Sequence, residues 1–307
     1  MFSFIVNRLA IALPTLLVLI VISFLLMHAA PGGPFARKKA LPPEISAHLN
    51  AKYGLDQPLW RQLFSYVWGV VTHFDFGPSF VYKDRTVNEI IAQGFPVTLH
   101  YGAVALVVAV TAGMTLGVLA AVFQYGWLDY LAVGISIGAQ VLPNFVMAPI
   151  LVLVFTLWLG WLPGGGWEGG HWPYVVMPVV ALATSYMASI ARITRSSMLE
   201  VLTSNHIRTA KAKGLPMRKV ILRHALKPAL IPVISYLGTA FVAMITGSVV
   251  VDMYFLSGGI GKSFVDAALN RDFAVMMGVT ILVGALTIAF NLLVDILYAW
   301  IDPTIRY

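Results

Sequence analysis

Apolar residues in this chain run in long blocks separated by short polar stretches. Six blocks are long enough to cross about 30 Å of hydrocarbon at about 1.5 Å per helical residue. They are Leu9–Met27, Thr98–Phe123, Tyr130–Leu159, Tyr174–Ala191, Ala229–Val251 and Val275–Trp300. Each predicts a helix, because backbone polar groups cannot go unpaired in lipid. Pro14, Pro143, Pro149, Pro178 and Pro232 lie within or at the ends of these blocks and predict kinks rather than breaks. The third block is interrupted most, by two prolines and Asn144. Gly113/Gly117 and Gly134/Gly138 are spaced four apart, which predicts two places where helix backbones approach closely.

The polar stretches set the boundaries. Residues 1–29 form the first transmembrane helix, and 30–97 an external segment. Residues 98–300 form a transmembrane core with a cytoplasmic loop at 192–228, and 301–307 a cytoplasmic tail. The run after Arg8 exceeds the roughly 7–15 residues of a signal-peptide core. A cut after Ala30 would leave Pro31 first, so the run reads as a retained helix. In the external segment, Pro42-Pro43-Glu44 predicts a helix start, with Ile45–Tyr53 ending at Gly54. A second helix is expected from Pro58 to Val71, with Leu59, Leu63, Tyr66, Val67 and Val70 on one face. It could lie on the membrane or cover the mouth of a pathway.

Charge orients the chain. Nine of the twenty Lys and Arg fall between Arg192 and Lys227, with Glu200 the only acid there. The positive-inside rule makes that stretch cytoplasmic and, by counting spans, puts both termini inside. Composition agrees with a membrane protein: 59 % of residues are hydrophobic and 11 % charged, against about 25 % charged in a soluble domain. No aromatics interleave the basic run, which argues against nucleic acid. The absence of cysteine excludes disulfides, thiolate metal sites and a Cys nucleophile.

The most informative polar segment is Ser204–Pro216. Ser204 or Asn205 can cap a helix, and Gly214 with Pro216 stops it after about three turns. Ile207, Ala210 and Gly214 fall on one small, apolar face, while Arg208, Lys211 and Lys213 point elsewhere. Such a helix suits insertion into a groove on a partner protein. A solvated basic loop touching anionic lipid is the alternative.

This segment resembles the cytoplasmic EAA loop of ATP-binding-cassette (ABC) importer permeases, in the version of the B-type subunits of oligopeptide and dipeptide permeases. Arg208-Thr209-Ala210 stand where the wider family has Glu-Ala-Ala, and Gly214 matches the glycine four residues on. Arg223–Leu230, Arg8 with Pro14-Thr15, Ala30-Pro31-Gly32, Phe74–Gly77, Leu162–Gly166, Ala268–Asp272 and Ile301-Asp302-Pro303 extend the likeness along nearly the whole chain. The resemblance implies an all-α membrane protein of about six transmembrane helices. It implies the type I ABC-importer permease fold, with the external segment between helices 1 and 2, in the bacterial inner membrane.

It also implies a role: moving peptides into the cytoplasm by alternating access. The implied partners are a C-type permease subunit, two cytoplasmic ABC ATPases and a periplasmic or lipid-anchored peptide-binding protein, with membrane lipid around the spans. The chain would perform no chemistry and bind no cofactor or metal, ATP and magnesium sitting on the ATPases. Arg208, Thr209, Ala210 and Gly214 would touch an ATPase, with Asn205, Ile207, Lys211, Lys213 and Leu215 as neighbouring contacts. Relatives in the broader group move nickel, glutathione or sugars, so the solute is not fixed by the fold.

Other candidates are weaker. Leu256–Ser263 nearly spells a phosphate-binding loop, but Leu256 stands where its first glycine belongs. Permeases of this group usually carry proline where Gly258 stands. The seven histidines show no metal spacing. Gly164–Gly166 and Gly169–Gly170 read as flexible turns around Trp167. Asp295, with Asn291 one turn earlier, reads either as a partner of the basic loop or as a pathway residue. Few charges fall inside the spans, which argues against an ion-coupled secondary transporter. No nucleophile–base arrangement supports a membrane enzyme.

Overall fold

The structure is a computed structural model that describes residues 2–29 and 54–301. The helix expected over 42–53, the Ala30-Pro31-Gly32 motif and residues 302–307 lie outside the described residues. Among the described residues there is no strand; one isolated bridge joins Pro78 to Thr86. The helices are α1 (Phe2–Ala29), α2 (Leu59–His73), α3 (Val87–Val122), α4 (Trp127–Val141), α5 (Asn144–Leu151), α6 (Trp172–Thr203), α7 (Asn205–Ala212), α8 (Met217–Tyr254), α9 (Ile260–Asn270) and α10 (Phe273–Ile301). α5 continues as a π-helical turn over Val152–Trp158, and α8 contains one at Val220–Ala225.

Five helices are long and apolar enough to cross a membrane: α1, α3, α6, α8 and α10. The sixth expected span is a broken one. Trp127–Val141 and Asn144–Trp158 meet at 103°. A straight 32-residue helix would be about 48 Å long, well beyond the hydrocarbon core. Pro143 sits at the break, and Leu142 before it is extended (φ −85°, ψ 109°), as a residue preceding proline prefers. Pro143 therefore breaks its helix instead of kinking it, whereas Pro14, Pro149, Pro178 and Pro232 stay inside theirs.

The chain falls into two compact units: Met1–Thr98 with Gly258–Ile288, and Leu99–Ser257 with Ala289–Tyr307. In the first, Val87, Ile90, Ile260, Ala267, Ala274, Val275 and Val279 form a buried cluster. A buried carboxylate organises the loop above it. Asp272 accepts from the Ser79 hydroxyl, from the backbone N–H groups of Phe80 (3.2 Å) and Val81 (3.3 Å), and from Val275 N–H (3.3 Å). α3 starts eleven residues before the apolar block does. Its start is a capping box, with Glu89 N–H donating to Thr86 Oγ1 (3.2 Å) and Thr86 N–H to Glu89 Oε2 (3.1 Å). The N-terminus of α9 packs on α3: Ile260 N–H donates to Thr98 Oγ1 at 2.9 Å. A Cβ added at Gly94 would stand 3.0 Å from the Ile260 nitrogen.

The second unit is built around α6, which packs on α4, α5 and α8. Gly113 and Gly117 fit against α6 so closely that an added Cβ would sit 2.7 Å from the Met187 carbonyl and 2.5 Å from that of Ala191. That pair does what its spacing predicts. Gly134 and Gly138 do not: nothing lies within 4 Å of their Cβ positions, and both face outward. α6 also runs well past the expected end of its span, carrying Arg192 and Arg195 within the helix.

Candidate coupling surface

The basic segment folds as a short helix held at both ends by its own backbone. Ser204 is extended at the N-cap (φ −68°, ψ 158°), and its carbonyl accepts Arg208 N–H at 3.1 Å. Its hydroxyl caps no helix N–H, turning back to the Val201 carbonyl at 2.6 Å. At the other end Lys213 N–H bonds Thr209 O (3.0 Å), Gly214 N–H bonds Lys211 O (2.9 Å), and Leu215 N–H reaches Ala210 O (3.4 Å). Gly214 takes φ +73°, the left-handed conformation that ends a helix at little cost only for glycine. Pro216 then starts α8.

The apolar face of α7 turns inward. Ile207 is fully buried and Ala210 nearly so, in a cluster with Ala121, Met198, Val220, Ala225 and Ala229; Leu215 packs against its edge. The expectation that Ile207 and Ala210 would enter a partner's groove is thus corrected. They lock α7 onto the end of α6 and the π-helical turn of α8. α7 and the turn that ends it present outward, among others, Asn205, Arg208, Thr209, Lys211, Lys213 and Gly214. Thr209 Oγ1 donates to Asn205 O at 3.0 Å, which leaves its methyl and three cationic side chains on the surface.

A second feature, unsuspected from sequence, braces the same end of α6. Arg195 forms a two-pronged ion pair with Asp129 of α4 (Nε–Oδ1 2.7 Å, Nη2–Oδ2 2.8 Å). Asp129 also accepts Tyr125 N–H at 3.0 Å. One turn earlier Arg192 donates to Gln140 Oε1 at 2.7 Å. A carboxylate 3 % exposed needs such a partner, since an unpaired buried charge costs several kcal/mol. Two of the nine clustered cations therefore serve helix packing. The near phosphate-loop has another use as well: its first helical N–H, at Ile260, is held by Thr98, and Lys262 pairs loosely with Asp266 (3.9 Å).

Comparison with known proteins decides the family. The family described as binding-protein-dependent transport system inner membrane component matches residues 113–307, and its N-terminal counterpart matches residues 1–102. The chain belongs to this family. Similar proteins in the family include the oligopeptide transport system permease protein OppB of Haemophilus influenzae, 54 % identical over 307 residues and the full length of both chains. OppB of Salmonella typhimurium is 55 % identical over the same length. The dipeptide transport system permease protein DppB of Bacillus subtilis is 42 % identical, over 95 % of this chain and 94 % of its own. Among solved structures, the permease fold is shared with an inward-facing MetNI methionine ABC transporter. The match has TM-score 0.60 at 18 % identity and covers 70 % of this chain and 97 % of that one. An amino acid ABC transporter matches at TM-score 0.54 and 16 % identity, covering 69 % of this chain and 94 % of the other. This is the type I ABC-importer permease fold, and the permease is a multi-pass protein of the inner membrane.

Proposed function

We propose that this permease carries peptides into the cytoplasm as one of two membrane subunits, driven through α7 by cytoplasmic ATPases. The observation that carries the peptide assignment is full-length identity of 54–55 % to oligopeptide transport permeases. The permease itself acts as a transport subunit, with ATP and magnesium held by its ATPases. A peptide-binding protein delivers the solute on the far side, and both termini lie in the cytoplasm.

The packing of α7 explains how force would pass. Its apolar face is fused to the chain's core, so a push on its outer face cannot be absorbed by sliding. α7, the end of α6 and the start of α8 move as one body, and movements of rigid elements are how such pathways alternate between sides. Arg208, Thr209, Lys211, Lys213 and Gly214 make the contact; Ile207, Ala210 and Leu215 transmit it. The outer face being cationic, its complement on the ATPase is an acidic rim.

The test is uptake of a labelled tripeptide by the assembled transporter in vesicles. Arg208→Glu with Lys211→Glu is expected to lower ATP-driven uptake by about tenfold or more, equivalent to about 1.4 kcal/mol of lost coupling. Membrane insertion and the stability of the permease should stay unchanged, since both side chains are exposed. Full uptake by the double variant would refute the role of α7.

A further inference from the structure

Helix α2 presents three faces. Val70 is buried, and Leu63, Tyr66 and Val67 are half-buried against the protein. Along this side, Gln62, Tyr66 and Gly69 border a cavity of about 580 Å³ together with Phe24 and His28 of α1 and Met277 of α10. A second face is polar and exposed: Arg61, Ser65 and Thr72. The third is unexpected. Trp60, Phe64, Trp68 and Val71 follow one another at steps of four, four and three residues, the spacing of a single helical stripe. They are 71, 64, 58 and 64 % exposed, and Phe64 and Trp68 stack with centroids 6.2 Å apart. Nothing in the inward packing of α2 uses them.

We propose that this stripe lies in the lipid of the membrane leaflet at which α1 exits, so that α2 is an interfacial helix. Three observations support lipid as the occupant. The first is position: His28, in the last turn of the spanning helix α1, bonds Gln62 of α2 through Nε2 and Oε1 at 3.2 Å. That contact holds α2 at the level where α1 leaves the hydrocarbon. The second is continuity, because the same end of α1 exposes Leu25 and Leu26, an apolar surface that lipid must already cover. The third is chemistry. Tryptophan favours the boundary between hydrocarbon and headgroups. Moreover, α2 contains no acidic residue, while Arg61 stands beside the stripe, where lipid phosphates would lie. A water-facing polar side, an apolar aromatic stripe and a protein-facing side together fit a helix lying flat at an interface. The inference depends on the membrane placement of α1 and not on the transport of peptides.

The natural absence of cysteine permits a direct test in the full-length permease, assembled with its partner subunits in phosphatidylcholine–phosphatidylglycerol vesicles. Nitroxide labels are placed singly at Phe64→Cys, Trp68→Cys, Val71→Cys, Ser65→Cys and, as the hydrocarbon standard, Ile22→Cys. Collision rates with oxygen, which partitions into lipid, and with a water-soluble nickel chelate are then compared. The oxygen-to-nickel ratio at 64, 68 and 71 is expected to exceed that at 65 several-fold, to fall below that at 22, and to ignore added peptide-binding protein. Nickel-accessible labels on the stripe would overturn the proposal; if the binding protein then shielded them, the stripe would be a protein-docking face instead. Labels shielded from both reagents would overturn it too, assigning the stripe to a neighbouring subunit. Using three stripe positions keeps the outcome decisive if one variant fails to assemble.

Discussion

Two glycine pairs with the same spacing behave differently because of what stands opposite them. Gly117 faces the α6 backbone, where an added Cβ would lie 2.5 Å from both the Ala191 carbonyl oxygen and Thr194 Cβ. Backbone cannot rotate away as a side chain can, so the helices must separate or the residue must remain glycine. Gly134 has open space. Gly117→Ala should therefore destabilise the purified permease by about 1–3 kcal/mol, the range for overpacking. Gly134→Ala, which also improves helix propensity, should leave it unchanged or slightly firmer. Thermal unfolding in detergent measures both. Equal midpoints for the two variants would mean that α3 and α6 are not packed as described. Ala210 belongs to the same class as Gly117: a bulky replacement there would disrupt the chain's own core, so lost uptake would say nothing about an ATPase.

At the level of elements, hydropathy located the spans but misjudged several ends. α3 was expected from Thr98 and begins at Val87, because its first turns pack against protein and include Asn88 and Glu89. A local signal did mark the start: Thr86-Val87-Asn88-Glu89 has the spacing of a capping box, and the structure closes both of its hydrogen bonds. Thr86→Ala should cost about 1 kcal/mol, as loss of an N-cap acceptor does, and Thr86→Ser should restore it. The readout is amide exchange over 87–91, expected to speed up in the alanine variant while 99–122 stays protected; unchanged exchange over 87–91 would disprove the cap. Other features were legible only in part. The stop at Gly214 followed from residue type, and the inward face of α2 from its period. The direction in which α7 turned its apolar face did not, because periodicity identifies a stripe without identifying what covers it. The pairing of Asp129 with Arg195, 66 residues apart, left no local trace at all.

For the molecule as a whole, the question that decides the direction of transport is which side of the membrane α7 occupies. The fold alone does not carry that information; charge does. From Ser204 to Pro228 the chain holds seven Lys and Arg and no acid, a net of +7. All seven are exposed, so none is neutralised by packing as Arg195 is. The opposite polar stretches contrast with it. The external loop 161–173 holds no Lys or Arg and 252–273 holds two, while the segment 30–97 holds seven but is too long for its charge to set orientation. The K/R bias in loops shorter than about 60 residues sets orientation, and here it points one way. With no native cysteine to interfere, Lys213→Cys should react with a membrane-impermeant maleimide in inside-out vesicles and stay silent in right-side-out ones. Leu269→Cys, at a position 76 % exposed in α9, should do the reverse. The opposite labelling pattern would put α7 on the outer face, out of reach of any cytoplasmic ATPase, and the coupling role would fail with it. If both positions labelled from one side, α8, the single span between them, would not cross. That result would leave an odd number of crossings between α1 and α10 and move the two termini to opposite sides.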